Sequence, residues 1–275
     1  MKLQTVSAGH GTTWVRQGFR VFFKRPMAFT ALFAAFMFAV FVLALLPLVG
    51  PLLVLTLLPL VTLAFMIGTR QALNGETISA QAFVTPLRTP GPQRLAIIQL
   101  GLLYAFATFV VMWLSDRVDG GAFDALMDAL PAAQKAPDVL AAKLADPRLA
   151  LGMLLRFGLA GLLSVPFWHA PALVYWDGHG VAKSLFSSTL ACWRNRGAFT
   201  AYSLAWFALI AGLGALGSVV FALLGAAQVF AAAAVPMSLF ITTVFYTSLY
   251  FTFADCFVPG EASSAITATP TEDTP

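Results

Sequence analysis

The sequence predicts an all-α fold, a polytopic membrane helical bundle with six transmembrane helices, amphipathic interfacial helices and a parallel internal repeat of helical hairpins. Three observations predict it. Hydrophobic residues make up 59% of the 275 residues and charged residues only 10%, whereas a soluble domain carries about 25% charged residues. Uncharged runs of bilayer-spanning length recur along the chain. These runs are continuously apolar, which selects helices; a membrane barrel alternates polar and apolar residues. Two cysteines are too few for a disulfide scaffold.

The elements follow in order. At 14–24, WVRQGFRVFFK places Trp14, Val15, Gly18, Phe19, Phe22 and Phe23 at helical spacing, with Arg16, Arg20 and Lys24 on the other face. This predicts a helix lying in the headgroup layer, with Arg16, Arg20, Lys24 and Arg25 as lipid-headgroup contacts. Residues 26–69 are 44 in number and carry no charge. One span needs about 20 apolar residues, so two are expected, at about 27–46 and 52–68, separated by Pro47, Gly50 and Pro51. The first run is too long for a cleaved signal segment and leads straight into a second span. Residues 78–87 fit a short interfacial helix bounded by Pro86, Pro90 and Pro92.

Residues 95–115 form the third span. The segment 116–148 is then an external loop with two short helices. In AFDALMDAL (122–130), Phe123, Leu126, Met127 and Leu130 share a face opposite both Asp, and 136–147 continues as a second helix. Such a loop serves either as a lid over the bundle or as a docking surface. Residues 157–176 give the fourth span. VAKSLFSSTLACW (181–193) reads as another surface helix. The 56 uncharged residues of 199–254 exceed one span and fit two, at about 199–224 and 229–254. Residues 1–262 thus make a single membrane domain, and the Thr/Pro/Ala-rich 263–275 a disordered cytoplasmic tail.

Lys and Arg concentrate on the side where a membrane protein is made. With six spans both termini share one side, and that side holds 11 of the 16 Lys and Arg. Both termini are therefore expected in the cytoplasm. The basic residues flank spans and build no soluble basic face, so nucleic acid is not expected as a partner.

FFKRPMAFTA (22–31) aligns with CWRNRGAFTA (192–201) at an offset of 170, and NGETIS (74–79) resembles PGEASS (259–264) at 185. A unit of surface helix, span, turn and span thus occurs at 11–79 and again at 181–264, with the middle of the chain fitting it more loosely. The W…GF…FF..P pattern before the first span, the PLVGPLL turn and the RQALNGE exit resemble an uncharacterised family of proteobacterial six-span inner-membrane proteins. The resemblance covers most of the chain outside the external loop and tail. It implies a fold and a location, and it carries over no catalytic residue.

Candidates for chemistry are few. No CxxC, HExxH, GxxxxGK[ST] or GxSxG motif occurs, and no catalytic residue, metal or cofactor is expected. GLGALG (212–217) lies inside an apolar run and reads as close helix packing through small residues. His169 stands within the fourth span between Pro166 and Pro171. Two readings stand: a proton-relay or ligand histidine at a broken helix, or a neutral side chain bonding a carbonyl freed by proline. Arg156 opens the same span and is expected to snorkel to the outer headgroups. Ser248, Thr252 and Asp255 form a polar edge on the sixth span, either a lined pathway or bonds between helices, with Asp255 at the cytoplasmic interface.

These residues favour an integral membrane protein without enzymatic activity, a structural or accessory component of a membrane assembly. The alternative is a transporter or channel for a small solute, using the kinked fourth span and the hydroxyls of the sixth. A lipid-modifying enzyme needs clustered titratable groups, which the sequence does not place together. Expected partners are the lipid bilayer and a membrane-protein partner or a second copy of the chain.

Overall fold

The computed structural model describes residues 1–132 and 137–258. Among them, six helical segments are long and apolar enough to cross a membrane. The surface helix α1 (His10–Lys24) leads into the spans α2 (Pro26–Ala44) and α3 (Val49–Leu73). A short α4 (Gln81–Val84) and a 3-10 turn (Thr85–Arg88) precede the span α5 (Gly91–Asp119). The loop carries α6 (Ala122–Ala129) and α7 (Pro137–Leu144). The fourth crossing is α8 (Pro147–Phe167) followed by α9 (Ala170–Asp177), broken at Trp168 and His169. Then come the surface helix α10 (Val181–Arg194) and the spans α11 (Arg196–Leu223) and α12 (Ala227–Cys256).

Several expected limits move. α5 runs on to Asp119 and α8 begins at Pro147. The loop is therefore shorter than 116–148, and the fourth crossing longer than 157–176. Lys135, the PGEASS copy and the tail 263–275 lie outside the described residues. A two-stranded pair that the sequence did not announce joins Lys2–Leu3 to Phe257–Val258 antiparallel.

The repeat is visible in the helix boundaries. α1 ends at Lys24 and α2 starts at Pro26; α10 ends at Arg194 and α11 starts at Arg196. Both junctions are a single residue, Arg25 and Asn195, at the expected offset. The Asn195 junction also anchors the start of the chain. Its Oδ1 accepts from the Val6 amide at 2.7 Å, and its Nδ2 donates to the Gln4 carbonyl at 3.1 Å.

The amphipathic pattern of α1 is real, but its apolar face does not rest in lipid. Gly11, Trp14, Gly18, Val21 and Phe22 are buried against α11 and α12. Two glycines explain the fit. A side chain at Gly11 would run into the Ala201 side chain and the α11 backbone; one at Gly18 would meet the Ser248 Cβ at 2.6 Å and the Val244 carbonyl at 3.2 Å. Lipid tails are as apolar as Phe, so burial alone gives α1 little reason to leave lipid for protein. Close approach and a specific hydrogen bond, described below, supply that reason. Arg16, Arg20, Lys24 and Arg25 are exposed on the opposite face.

The glycines of GLGALG pack differently from expectation. Gly217 lies against the Phe230 ring on α12, whereas Gly212 and Gly214 face open space.

Candidate functional site

The polar edge of α12 is where the bundle is joined. Beginning at its C-terminal end, Asp255 Oδ2 accepts from Trp14 Nε1 of α1 at 2.7 Å. One turn earlier, the Thr252 hydroxyl donates to the Leu249 carbonyl at 2.8 Å. That leaves its lone pairs for two donors at the α8–α9 break, Trp168 Nε1 at 3.1 Å and His169 Nε2 at 3.2 Å. Ser248 donates to the Phe245 carbonyl at 2.6 Å, so its oxygen accepts from the Tyr202 hydroxyl of α11 at 2.6 Å. On the adjacent face, Thr69 of α3 donates to the Thr247 carbonyl at 3.1 Å. Thus α1, α3, α11 and the α8–α9 break each bond α12 through a polar contact of their own. Ser248 and Thr252 are fully buried. The edge carries a row of helix-to-helix bonds.

His169 is fully buried, with the rings of Phe199, Phe253 and Phe257 at 5.4–6.0 Å. Its bonding follows from the break. In an unbroken helix the His169 amide would donate to the Val165 carbonyl. Instead the Ser188 hydroxyl of α10 is inserted between them. It accepts from the His169 amide at 3.0 Å and donates to the Val165 carbonyl at 2.9 Å. The freed carbonyl is thus satisfied by Ser188, and the expectation that the His169 ring would serve it is corrected. The ring reaches Thr252 instead. Because the Thr252 proton is committed to Leu249, Nε2 carries the imidazole proton and Nδ1 is left with a lone pair. Nδ1 has no hydrogen-bond partner among the described residues.

Arg156 does not snorkel. Its side chain is 12% exposed and Nη2 pairs with Asp116 and with Asp119, the latter at 3.5 Å. The Phe123 ring of α6 covers the guanidinium, 3.8 Å from ring centroid to Cζ. Asp119 is fully buried, and its Oδ1 accepts from the Gly121 amide at 2.8 Å. The reason is the extra turn of α5, which carries both carboxylates up beside α8. Charges this poorly hydrated need a partner, and this pair supplies it. The first loop helix packs over this joint through Phe123 and the buried Leu126.

Two cavities flank the break. One, of about 210 Å³, lies between α3, α5, α8 and α12. The other, of about 600 Å³, opens between α8, α10 and α11. Ser164 and Trp168 line both and so form the partition. His169 lines neither.

The chain is similar to a probable inner membrane protein of Burkholderia thailandensis, 35% identical over 260 residues that span 94% of each protein. The chain belongs to the same family of proteobacterial inner-membrane proteins. It is an inner-membrane protein with several spans. No family model and no solved structure matches it.

The site residues missed in the sequence are those of this family member's tertiary joints. Ser188, Tyr202 and Trp168 looked like ordinary members of apolar helices, and only their partners give them meaning. Asp116 and Asp119 had a usable signal. They sit at i and i+3, in the turn directly after an uncharged run whose partner span opens with an Arg. Cys192 and Cys256 are free and buried. Burial pushes the Cys192 thiol up to about 12, which keeps it in the neutral thiol form.

Proposed function

We propose that this protein is a non-enzymatic, structural or accessory component of an inner-membrane assembly, inserted with both termini in the cytoplasm. One observation carries the reading. The polar groups that could have served a pathway or a reaction are spent on joining helices: Ser248 on Tyr202, Thr252 on Trp168 and His169, Asp255 on Trp14. Catalysis needs titratable groups that converge on an accessible point, and His169 sits behind three aromatic rings. The orientation rests on the Lys/Arg bias, 11 of 16 on the side of the termini.

A transporter is the second reading, favoured by the partition. Trp168 and Ser164 separate two cavities beside a broken helix. The experiment is purification in mild detergent followed by reconstitution in liposomes. A partner held at fixed stoichiometry, with no solute flux from the reconstituted chain, is the expected result. Saturable flux that falls on His169→Leu or Thr252→Val would replace the first reading with the second.

A further inference from the structure

We propose that the cleft between α8 and α11 is a site for one anionic phospholipid, with its headgroup at Arg196 and an acyl chain between the two helices. The cleft encloses about 600 Å³, well above the cavity on the other side of Trp168. Gly161 and Val165 of α8 form one wall; Leu204 and Phe207 of α11 form the other. Gly161 leaves the wall flat, since a Cβ there meets no protein atom within 4 Å. Leu204 and Phe207 are 60% and 71% exposed to whatever fills the space. In a bilayer that filler is a lipid chain.

The chemistry changes at the end where α10 meets α11. Arg196 lies there, its guanidinium 5.7 Å from the Trp193 ring, an arrangement suited to the headgroup layer. Arg196 has no carboxylate within ion-pair distance among the described residues. Thr200 and Ser203 line the cleft beside it and offer donors to phosphate or ester oxygens. Arg194, in the last turn of α10, adds positive charge to the same end. A cation over an apolar slot is complementary to a phosphate attached to an acyl chain. A second copy of the chain is a poorer occupant. Copies in one membrane run parallel, so its own basic end would stand at the level of Arg196.

The test is native mass spectrometry of the delipidated full-length protein in detergent, titrated with dioleoyl phosphatidylglycerol and dioleoyl phosphatidylcholine. The first phosphatidylglycerol adduct is expected to bind about fivefold tighter than phosphatidylcholine. Arg196→Gln should level the two lipids. Gly161→Phe, which fills the slot, should weaken both. Equal affinities in the wild type, an undiminished preference in Arg196→Gln, or occupation of the cleft by a second copy would each overturn the proposal. A readout free of substitutions uses tryptophan fluorescence. Chain-brominated phosphatidylglycerol should quench the unaltered protein more strongly than chain-brominated phosphatidylcholine, through Trp168 and Trp193, and equal quenching would also overturn it.

Discussion

Ser188 does more for the fourth crossing than the histidine that draws the eye. Its hydroxyl serves two backbone groups at once, the His169 amide and the Val165 carbonyl. Removing it orphans the buried His169 amide and leaves the Val165 carbonyl with only the longer contacts from the Trp168 amide at 3.5 Å and Cys192 Sγ at 3.8 Å, and an orphaned buried polar group costs about 1–3 kcal/mol. His169 makes a single side-chain bond, to a hydroxyl that keeps a second donor. Hydrogen bonds between membrane helices average about 0.6 kcal/mol. Ser188→Ala should therefore lower the melting temperature in detergent more than His169→Gln does. The reverse order would mean that the break is held by the ring and not by the hydroxyl. Cys192 offers a second check at this scale. With its thiol about 12 and its side chain buried, it should resist maleimide at pH 8 in folded protein and react once denatured. Labelling of the folded protein would show that reagent reaches the thiol, through the cleft it lines or by opening of α10.

At the scale of elements, the question is why α1 lies where it does. Gly18→Val places a branched side chain where the Ser248 Cβ already stands, 2.6 Å from the first added atom. Overpacking of this kind costs about 1–3 kcal/mol, and it also pulls Trp14 from Asp255. Gly9→Ala, whose Cβ meets nothing within 4 Å, is the matched control. Protease nicking near residue 25 should rise in the first variant and stay at the wild-type level in the second; equal nicking would show that α1 is not clasped. The α5–α8 joint makes its own prediction. Arg156→Met leaves Asp119 buried without its cation, a loss of about 3 kcal/mol. Adding Asp119→Leu should recover most of that, and a double variant less stable than Arg156→Met alone would refute the coupling. These joints mark what could be read in advance and what could not. The spans and the α1 stripe were legible because hydropathy and period are local properties. Partners were not: a 3.6-residue period says that Trp14 faces inward, not that it faces Asp255 at a separation of 241 residues. Arg156 was misread because the loop was drawn to begin at residue 116, which placed Asp116 and Asp119 in water before the helix had ended. The row on α12 was half legible, its spacing plain and its use open until Tyr202, Trp168 and Trp14 were seen against it.

For the whole molecule, one arrangement connects charge, repeat and packing. The surface helices α1 and α10 and the short α4 with its 3-10 turn each precede a hairpin of spans, so all three lie at one end, along with most of the Lys and Arg. Among the described residues, the loop helices α6 and α7 belong to the other end, with the Arg156 joint beneath α6. The two ends thus differ in charge and in construction, and insertion must choose between them. The charge rule predicts that the basic end faces the cytoplasm. Native Cys192 cannot report the choice, because it is buried whichever way the chain faces. Gly120 is a poor position for a probe because its φ of +61° favours glycine. Asp128 on α6 and Gly9 before α1 are exposed and free of that constraint. In a background with Cys192 and Cys256 replaced by Ala, Asp128→Cys should react with a membrane-impermeant maleimide in intact spheroplasts. Gly9→Cys should react only after the membrane is permeabilised. The opposite pattern would invert the molecule, put the Arg156 joint at the cytoplasmic side, and move the proposed lipid site to the outer leaflet. A mixture of both patterns would show that 11 of 16 basic residues are too few to fix one orientation.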